Sequence, residues 1–255
     1  MSFQTGRGMN TSFGGFSNIK RLLGDPVFFR ALVNTLTFLL IQVPVMIFLG
    51  LVLAVVLNSP TIKGRAFFRT AIFLPCVTSL VAYSILFKSM FATDGVINNT
   101  LIAVHLLGDP ISWLGQPFYA KVVIILAITW RWTGYNMIFY LAALQNIDPA
   151  IYEAARIDGV PRRAQFFRII IPILKPVILF TAIISTIGTL QLFDEVNNIT
   201  AGGPADATLT LSLYIYNLTF RFMPSFGYAA TVSYVIVLLV AVLSYVQFFV
   251  ARDRK

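Results

Sequence analysis

An all-α, polytopic helical membrane fold is predicted by three features of this sequence. Long apolar runs without charge recur along it. Charged residues make up only 11% of the 255 positions, hydrophobic residues make up 58%, and the mean hydropathy is +0.81. The basic residues gather in alternate connectors between the runs. A helix needs about 20 apolar residues to cross a bilayer. In lipid a helix satisfies every backbone N–H and C=O within itself.

The elements follow in chain order. Residues 1–30 read as an external lead-in: the first 20 are polar and Gly-rich, without the apolar core of a cleavable signal, and Phe16–Arg30 has the composition of a short amphipathic segment on the membrane surface. The membrane region then runs over 31–255, with five spans expected at about 35–57, 70–87, 122–144, 175–193 and 228–251. A short basic loop, 58–69, carries Lys63, Arg65 and Arg69. Two longer polar connectors, 88–121 and 194–227, follow the second and fourth spans.

Charge sets the orientation. The ends at 58–69, 145–175 and 252–255 hold 3, 5 and 3 Lys or Arg, against 2 and 1 in the connectors 88–121 and 194–227. By the positive-inside rule, the richer ends and the C-terminus are cytoplasmic. Five spans then put residues 1–30 outside, although they carry Arg7, Lys20, Arg21 and Arg30. The formal net charge of +9 is explained by this bias and calls for no nucleic-acid partner.

Catalytic and metal chemistry has little material. There is no G-x-x-x-x-G-K-[ST] loop to cradle ATP phosphates. His105 is the only histidine and Cys76 the only cysteine, so neither a His-based metal cluster nor an intrachain disulfide is available. The ten acidic residues are scattered. No catalytic residue, no metal ligand and no resident cofactor is expected.

The most polar stretch of the chain is Asp148–Pro172, between two apolar runs. Asp148 suits a helix N-cap and Pro149 the first helical position. The helix continues through Asp158. Gly159 suits the left-handed residue that closes it, and Pro161 restarts the chain into a basic second helix over 162–171. Ala154 and Ala155 leave the first helix a shallow surface. A polar helical hairpin between two spans reads as a docking knob for an aqueous partner.

Polar groups inside the spans are costly unless they face protein or water. Arg131 interrupts the third span; it either lines a solute path or pairs with a neighbouring helix. Trp132, Asn136 and Tyr140 recur at i, i+4 and i+8 and share one face. That face suits a sugar, whose C–H groups stack on rings and whose hydroxyls bond an amide; ordinary packing is the alternative. Thr181, Ser185 and Thr189 form a small-residue row better suited to helix packing. Gln191, Asp194 and Glu195 close the fourth span at its outer end, where they meet a solute or cap the helix.

The hairpin resembles the EAA loop of bacterial ABC importer permeases. Glu153, Ala154 and Ala155 match the motif, Gly159 falls at its seventh position, and Ile169, Ile171 and Pro172 stand at its close, with Ile171 in place of the usual Leu. The stretches NIKRLLGDPVFFRALVNT, RAFFRTAIFLP, LQNIDPAIYEAARIDG and TAGGPADATLTLSLYIYNLTFRF are similar to the carbohydrate subfamily, the maltose and glycerol-phosphate type.

The resemblance implies a type I importer permease fold of six spans, the first of which would precede Ser2. It implies a pore made with a second permease subunit, usually a different chain. A dimeric ABC ATPase would hold the ATP and magnesium, an extracytoplasmic solute-binding protein would deliver the solute, and this chain would lie in the bacterial inner membrane. The coupling set it implies is Glu153, Ala154, Ala155, Arg156, Asp158, Gly159 and Arg162. Glu153 would fix the docked helix, Gly159 would allow the turn, and Arg156, Arg162 and Arg163 would meet acidic ATPase groups or lipid phosphates. Arg131, Trp132, Asn136, Tyr140 and Gln191 are the expected substrate path.

Three other readings remain open on sequence grounds. A secondary transporter would need ionisable groups in its spans, and only Arg131 is there. A membrane enzyme would need a catalytic cluster. A permease for another small solute differs only in its path.

Overall fold

The computed structural model describes residue 2, residues 4–7 and residues 10–251; the basic C-terminal cluster 252–255 lies outside the described residues. Helices dominate. A small antiparallel hairpin, β1 (Gln4–Arg7) with β2 (Asn10–Phe13), and a short helix α1 (Ser17–Leu23) form the lead-in. Then come α2 (Pro26–Asn58), α3 (Arg65–Val77), α4 (Leu80–Met90), α5 (Val96–Ala103) and α6 (Pro117–Gln145). The polar hairpin consists of α7 (Pro149–Ile157) and α8 (Arg162–Gln165). A π-helical turn, Phe166–Ile170, leads into α9 (Ile171–Leu190). The chain finishes with α10 (Asp194–Ile199), α11 (Leu211–Tyr216), a second π turn (Asn217–Arg221) and α12 (Phe226–Ala251).

Among the described residues, four helical stretches are long and apolar enough to cross a membrane: α2, α6, Arg162–Leu190 and α12. The expected second span, 70–87, is two helices with a sharp bend where they meet, so it counts as a fifth crossing only as one broken span. Thr78 and Ser79 stand at the break, with Ser79 out of the helical region (φ −57°, ψ 131°). The other spans begin or end beyond their expected limits, because capping residues, not hydropathy, set helix ends. Helix α2 starts at Pro26, inside the expected lead-in: Asp25 Oδ1 accepts from the N–H groups of Val27 (2.9 Å) and Phe28 (3.3 Å), an N-cap with Pro at the first helical position. Pro44 and Pro176 sit within α2 and α9 without ending them.

The chain divides into two compact units. The first comprises Met1–Gln42, Thr78–Ile128 and Thr186–Leu243. Its aromatic core gathers Tyr83 and Phe87 of α4, and Phe91 just after it, with Val123, Ala127 and Ile199. Phe87 stacks on Phe91 at 6.0 Å, and Trp113 meets Phe91 edge-on at 5.5 Å. The fully buried Asn98 fastens the connector to this core. Its amide donates to the carbonyls of Thr93 (2.9 Å) and Ile111 (2.8 Å) and accepts from Ile111 N–H (3.1 Å) and Trp113 Nε1 (2.9 Å).

The start of α2 is stitched to the last connector of the same unit. Asn34 Nδ2 donates to the carbonyls of Asp206 (2.8 Å) and Leu209 (3.0 Å), Leu211 N–H donates to Thr35 Oγ1 (3.1 Å), and Arg30 pairs with Asp206 at 3.7 Å. In α1, Asn18 and Leu22 are buried while Ile19 and Leu23, and Phe16 just before the helix, are exposed.

The second unit comprises Val43–Val77, Thr129–Ser185 and Ser244–Lys255. Its core joins Leu51, Ala54 and Leu57 of α2, Met137, Tyr140, Leu141 and Leu144 of α6, Ile170 of the π turn and Leu174 of α9. Two glycines let backbones approach here, as small residues do in membrane helices. A Cβ on Gly50 would lie 3.1 Å from Asn136 Cβ and 3.3 Å from the Tyr140 ring. One on Gly134 would run into the Ile72 carbonyl, with Phe73 Cα at 2.9 Å. Outward faces of the long helices stay apolar: only 6% of the most apolar window of α12 and 22% of that in Arg162–Leu190 is buried within the chain. Surfaces this apolar need lipid or a neighbouring subunit to cover them.

Candidate functional sites: a helical hairpin and an aromatic row

The hairpin is built as its residues dictate. Asp148 Oδ1 accepts from Ala150 N–H at 2.9 Å, capping α7 behind Pro149. At the other end Gly159 adopts φ +68°. Gly159 N–H donates to the Arg156 carbonyl (3.1 Å) and Val160 N–H to the Ala155 carbonyl (2.9 Å), the paired bonds of a Schellman close. Gln165 Nε2 then ties the second arm to the Val160 carbonyl at 2.8 Å.

The second arm differs from the expected α-helix over 162–171. It is α-helical only through Gln165 and then widens into the π turn. Pro172 follows two residues beyond Ile170. It offers no N–H to the preceding turn and would crowd that turn's carbonyls in a regular helix; the wider turn removes that conflict. The stretch from Arg162 to Leu190 stays helical throughout, so the hairpin continues into the following span without a loop.

Helix α7 presents different residues to different sides. Ala155 is 5% exposed and packs inward, so of the two alanines expected to form a shallow surface only Ala154 offers any. The outward side carries Ile151, Ala154, Ile157 and Asp158, and Ile157 is 86% exposed, a large apolar side chain left in the open. The other side, with Tyr152, Glu153 and Arg156, lines a cleft shared with Arg162 and the 58–62 loop. The expected coupling residues therefore do not form one surface.

The expected substrate face is also divided. Asn136 is 1% and Tyr140 0% exposed, both inside the core against Gly50. Tyr140 Oη and Thr181 Oγ1 are 2.5 Å apart, a packing role for Thr181 as expected. Asn136 Nδ2 donates to the Trp132 carbonyl at 3.2 Å. Arg131 is buried; its guanidinium donates to the Cys76 carbonyl at 3.3 Å and lies 5.6 Å from the Trp132 ring. Gln191 is exposed just beyond α9, in the first unit, whereas the other four belong to the second.

Of that face only Trp132 joins a partly open aromatic surface. It continues to Tyr135 (5.8 Å between ring centroids), from Tyr135 to Phe139 (4.9 Å) and on to Phe180 of α9 (5.6 Å). Residues 132, 135 and 139 follow the i, i+3, i+7 stripe, which the i, i+4, i+8 reading passed over.

A helical membrane subunit with a capped polar hairpin running straight into a span is the class these features define. The chain belongs to the family described as binding-protein-dependent transport system inner membrane component, whose model matches residues 22–255. It is 68% identical to the lactose transport system permease protein LacF of Rhizobium radiobacter, over all of this chain and 86% of that protein. It is 34% identical to the arabinooligosaccharides transport system permease protein AraP of Halalkalibacterium halodurans, over all of this chain and 80% of that one. Among solved structures, a chain of a bacterial ABC transporter involved in the import of the acidic polysaccharide alginate superposes with a TM-score of 0.82 at 28% identity, covering 94% of this chain and 84% of that one. The protein is a multi-pass ABC importer permease subunit with the type I permease fold, a transport component and not an enzyme.

Proposed function

We propose that this chain forms half of the pore of a sugar importer and is driven through its hairpin by a separate ATPase dimer. The observation that carries the coupling role is the outward side of α7. A capped helix presents Ile157 as an exposed apolar knob beside the small Ala154, the tight Gly159 turn ties it to the second arm, and that arm continues without a loop into the following span, so a push on the knob reaches the membrane. The positive-inside bias puts this hairpin in the cytoplasm, where ATP and magnesium are held by the partner subunit.

The solute is an oligosaccharide. The relatives named for lactose and arabinooligosaccharides support this, and the row Trp132, Tyr135, Phe139 supplies rings on which sugar C–H faces slide. A second, different permease subunit completes the pore, and a solute-binding protein delivers the sugar from outside; a solved alginate transporter in complex with its periplasmic protein supports such a partner. The test is uptake of labelled lactose into proteoliposomes holding the purified complex. Uptake that requires both ATP and the binding protein is expected. Uptake by this chain alone on an ion gradient would overturn the reading.

A further inference from the structure

The cleft beside α7 has a volume of about 950 Å³ and lies wholly within the second unit. Its floor is apolar and comes from the places where membrane helices end. Val55 and Val56 are in the last turn of α2, Leu144 is next to last in α6, and Ile170 closes the π turn before α9. Its mouth is cationic. Arg156 and Arg162 both line it and are exposed, and among the described residues neither guanidinium has an ion pair or hydrogen bond. Glu153 is the one carboxylate on the lining. Tyr152 also lines the cleft and packs against the core of the unit, and its hydroxyl oxygen is buried without a hydrogen-bond partner. Burial pushes that phenol above its usual range, so it stays a neutral donor.

This layering selects a ligand that is both anionic and oily. A soluble anion would satisfy the guanidiniums and leave the apolar floor wet. An acidic protein segment would meet Glu153, and the exposed apolar knob for a protein partner is on the outward side of the same helix. An anionic phospholipid fits every layer: phosphate at the two arginines, a polar linkage at Tyr152, and acyl chain along Val55, Val56, Leu144 and Ile170. We propose that the cleft binds one anionic phospholipid headgroup of the cytoplasmic leaflet, fastening the hairpin to the membrane surface. The inference rests on the reading that the hairpin emerges on the cytoplasmic side of the membrane.

The purified full chain in mild detergent, titrated with short-chain phosphatidylglycerol, matched phosphatidylcholine and inorganic phosphate, tests this by native mass spectrometry. One phosphatidylglycerol should bind about tenfold or more tightly than phosphatidylcholine, and millimolar phosphate should not displace it. Arg156→Gln with Arg162→Gln should abolish that preference. Arg163→Gln, whose arginine is outside the lining, should keep it. Val55→Trp, which fills the floor, should weaken both lipids. Equal binding of the two lipids, insensitivity to the arginine pair, or full displacement by phosphate would overturn the proposal. No transport is read here, so such a failure counts against the cleft alone; failure of ATP-driven uptake counts against the transport reading.

Discussion

Tyr214 donates its hydroxyl to Asp25 Oδ2 at 2.5 Å, joining two residues 189 positions apart in sequence. Tyr228 donates to the same oxygen at 2.5 Å, and the Arg21 guanidinium covers the Tyr228 ring at 4.0 Å. The N-cap of the first long helix is thus also the anchor of the last connector within its unit. Burial alone would raise the Asp25 carboxyl. The hydrogen bonds from Tyr214, Tyr228, Phe28 and Val27 outweigh it and hold the group below its ordinary value of 3.8. The same contact keeps the Tyr214 hydroxyl protonated far above neutrality, since burial first and the Asp25 carboxylate second push it up.

Asp25→Ala should therefore destabilise the protein by about 2 kcal/mol, the scale of losing hydrogen bonds to a charged acceptor and a helix cap. Thermal unfolding in detergent measures it. Because the folded carboxyl titrates below the unfolded one, its contribution is complete above the unfolded value and is lost as the pH falls through the folded one. Wild-type stability should show this loss only in acid below about pH 4, and Asp25→Ala should lack it.

Gly134→Ala should be the more damaging of two glycine substitutions. Its Cβ would meet the backbone of Ile72 and Phe73, which cannot turn aside, whereas a Cβ on Gly50 meets mainly side chains at 3.1 Å and beyond. Overpacking of this kind costs about 1–3 kcal/mol. The melting temperature of Gly134→Ala should fall further than that of Gly50→Ala; the reverse order would contradict the packing described.

Ile157→Asp should leave the protein folded, because the side chain is 86% exposed, and should abolish solute-stimulated ATP hydrolysis by the complex. Gly159→Pro should do the same by another route: proline cannot adopt φ +68°, so the Schellman close is lost and the hairpin is misdirected. Glu153→Lys should also uncouple hydrolysis while membrane insertion persists. Normal stimulated hydrolysis in all three would remove the coupling role from the hairpin.

Trp132→Ala, Tyr135→Ala and Phe139→Ala should each slow sugar uptake with little change in melting temperature. Tyr140→Phe should do the opposite, losing about 1 kcal/mol of stability with the Thr181 bond and leaving transport per folded molecule unchanged. Uptake kinetics set beside thermal unfolding separates the two groups.

The one-dimensional features of the chain were legible without its structure. Apolar runs located the long helices, since burying a backbone in lipid demands continuous helix. Asp148, Pro149, Gly159 and Pro161 located the hairpin, since capping is a matter of neighbours in sequence. Several things depended on which residues meet in space. Trp132, Asn136 and Tyr140 share a stripe, but Gly50 lets α2 press close to Asn136 and Tyr140, leaving only Trp132 on the open row. Ala155 was indistinguishable from Ala154 until packing turned it inward. The break at Thr78–Ser79 was hidden by hydropathy averaged over the run. The Asp25 anchor joins residues almost 200 positions apart, and no local pattern marks it. The sequence by itself determined a helical importer permease and the form of its hairpin, because lipid and caps act on contiguous residues; the working surfaces were decided only by tertiary packing, because burial is shared among distant helices.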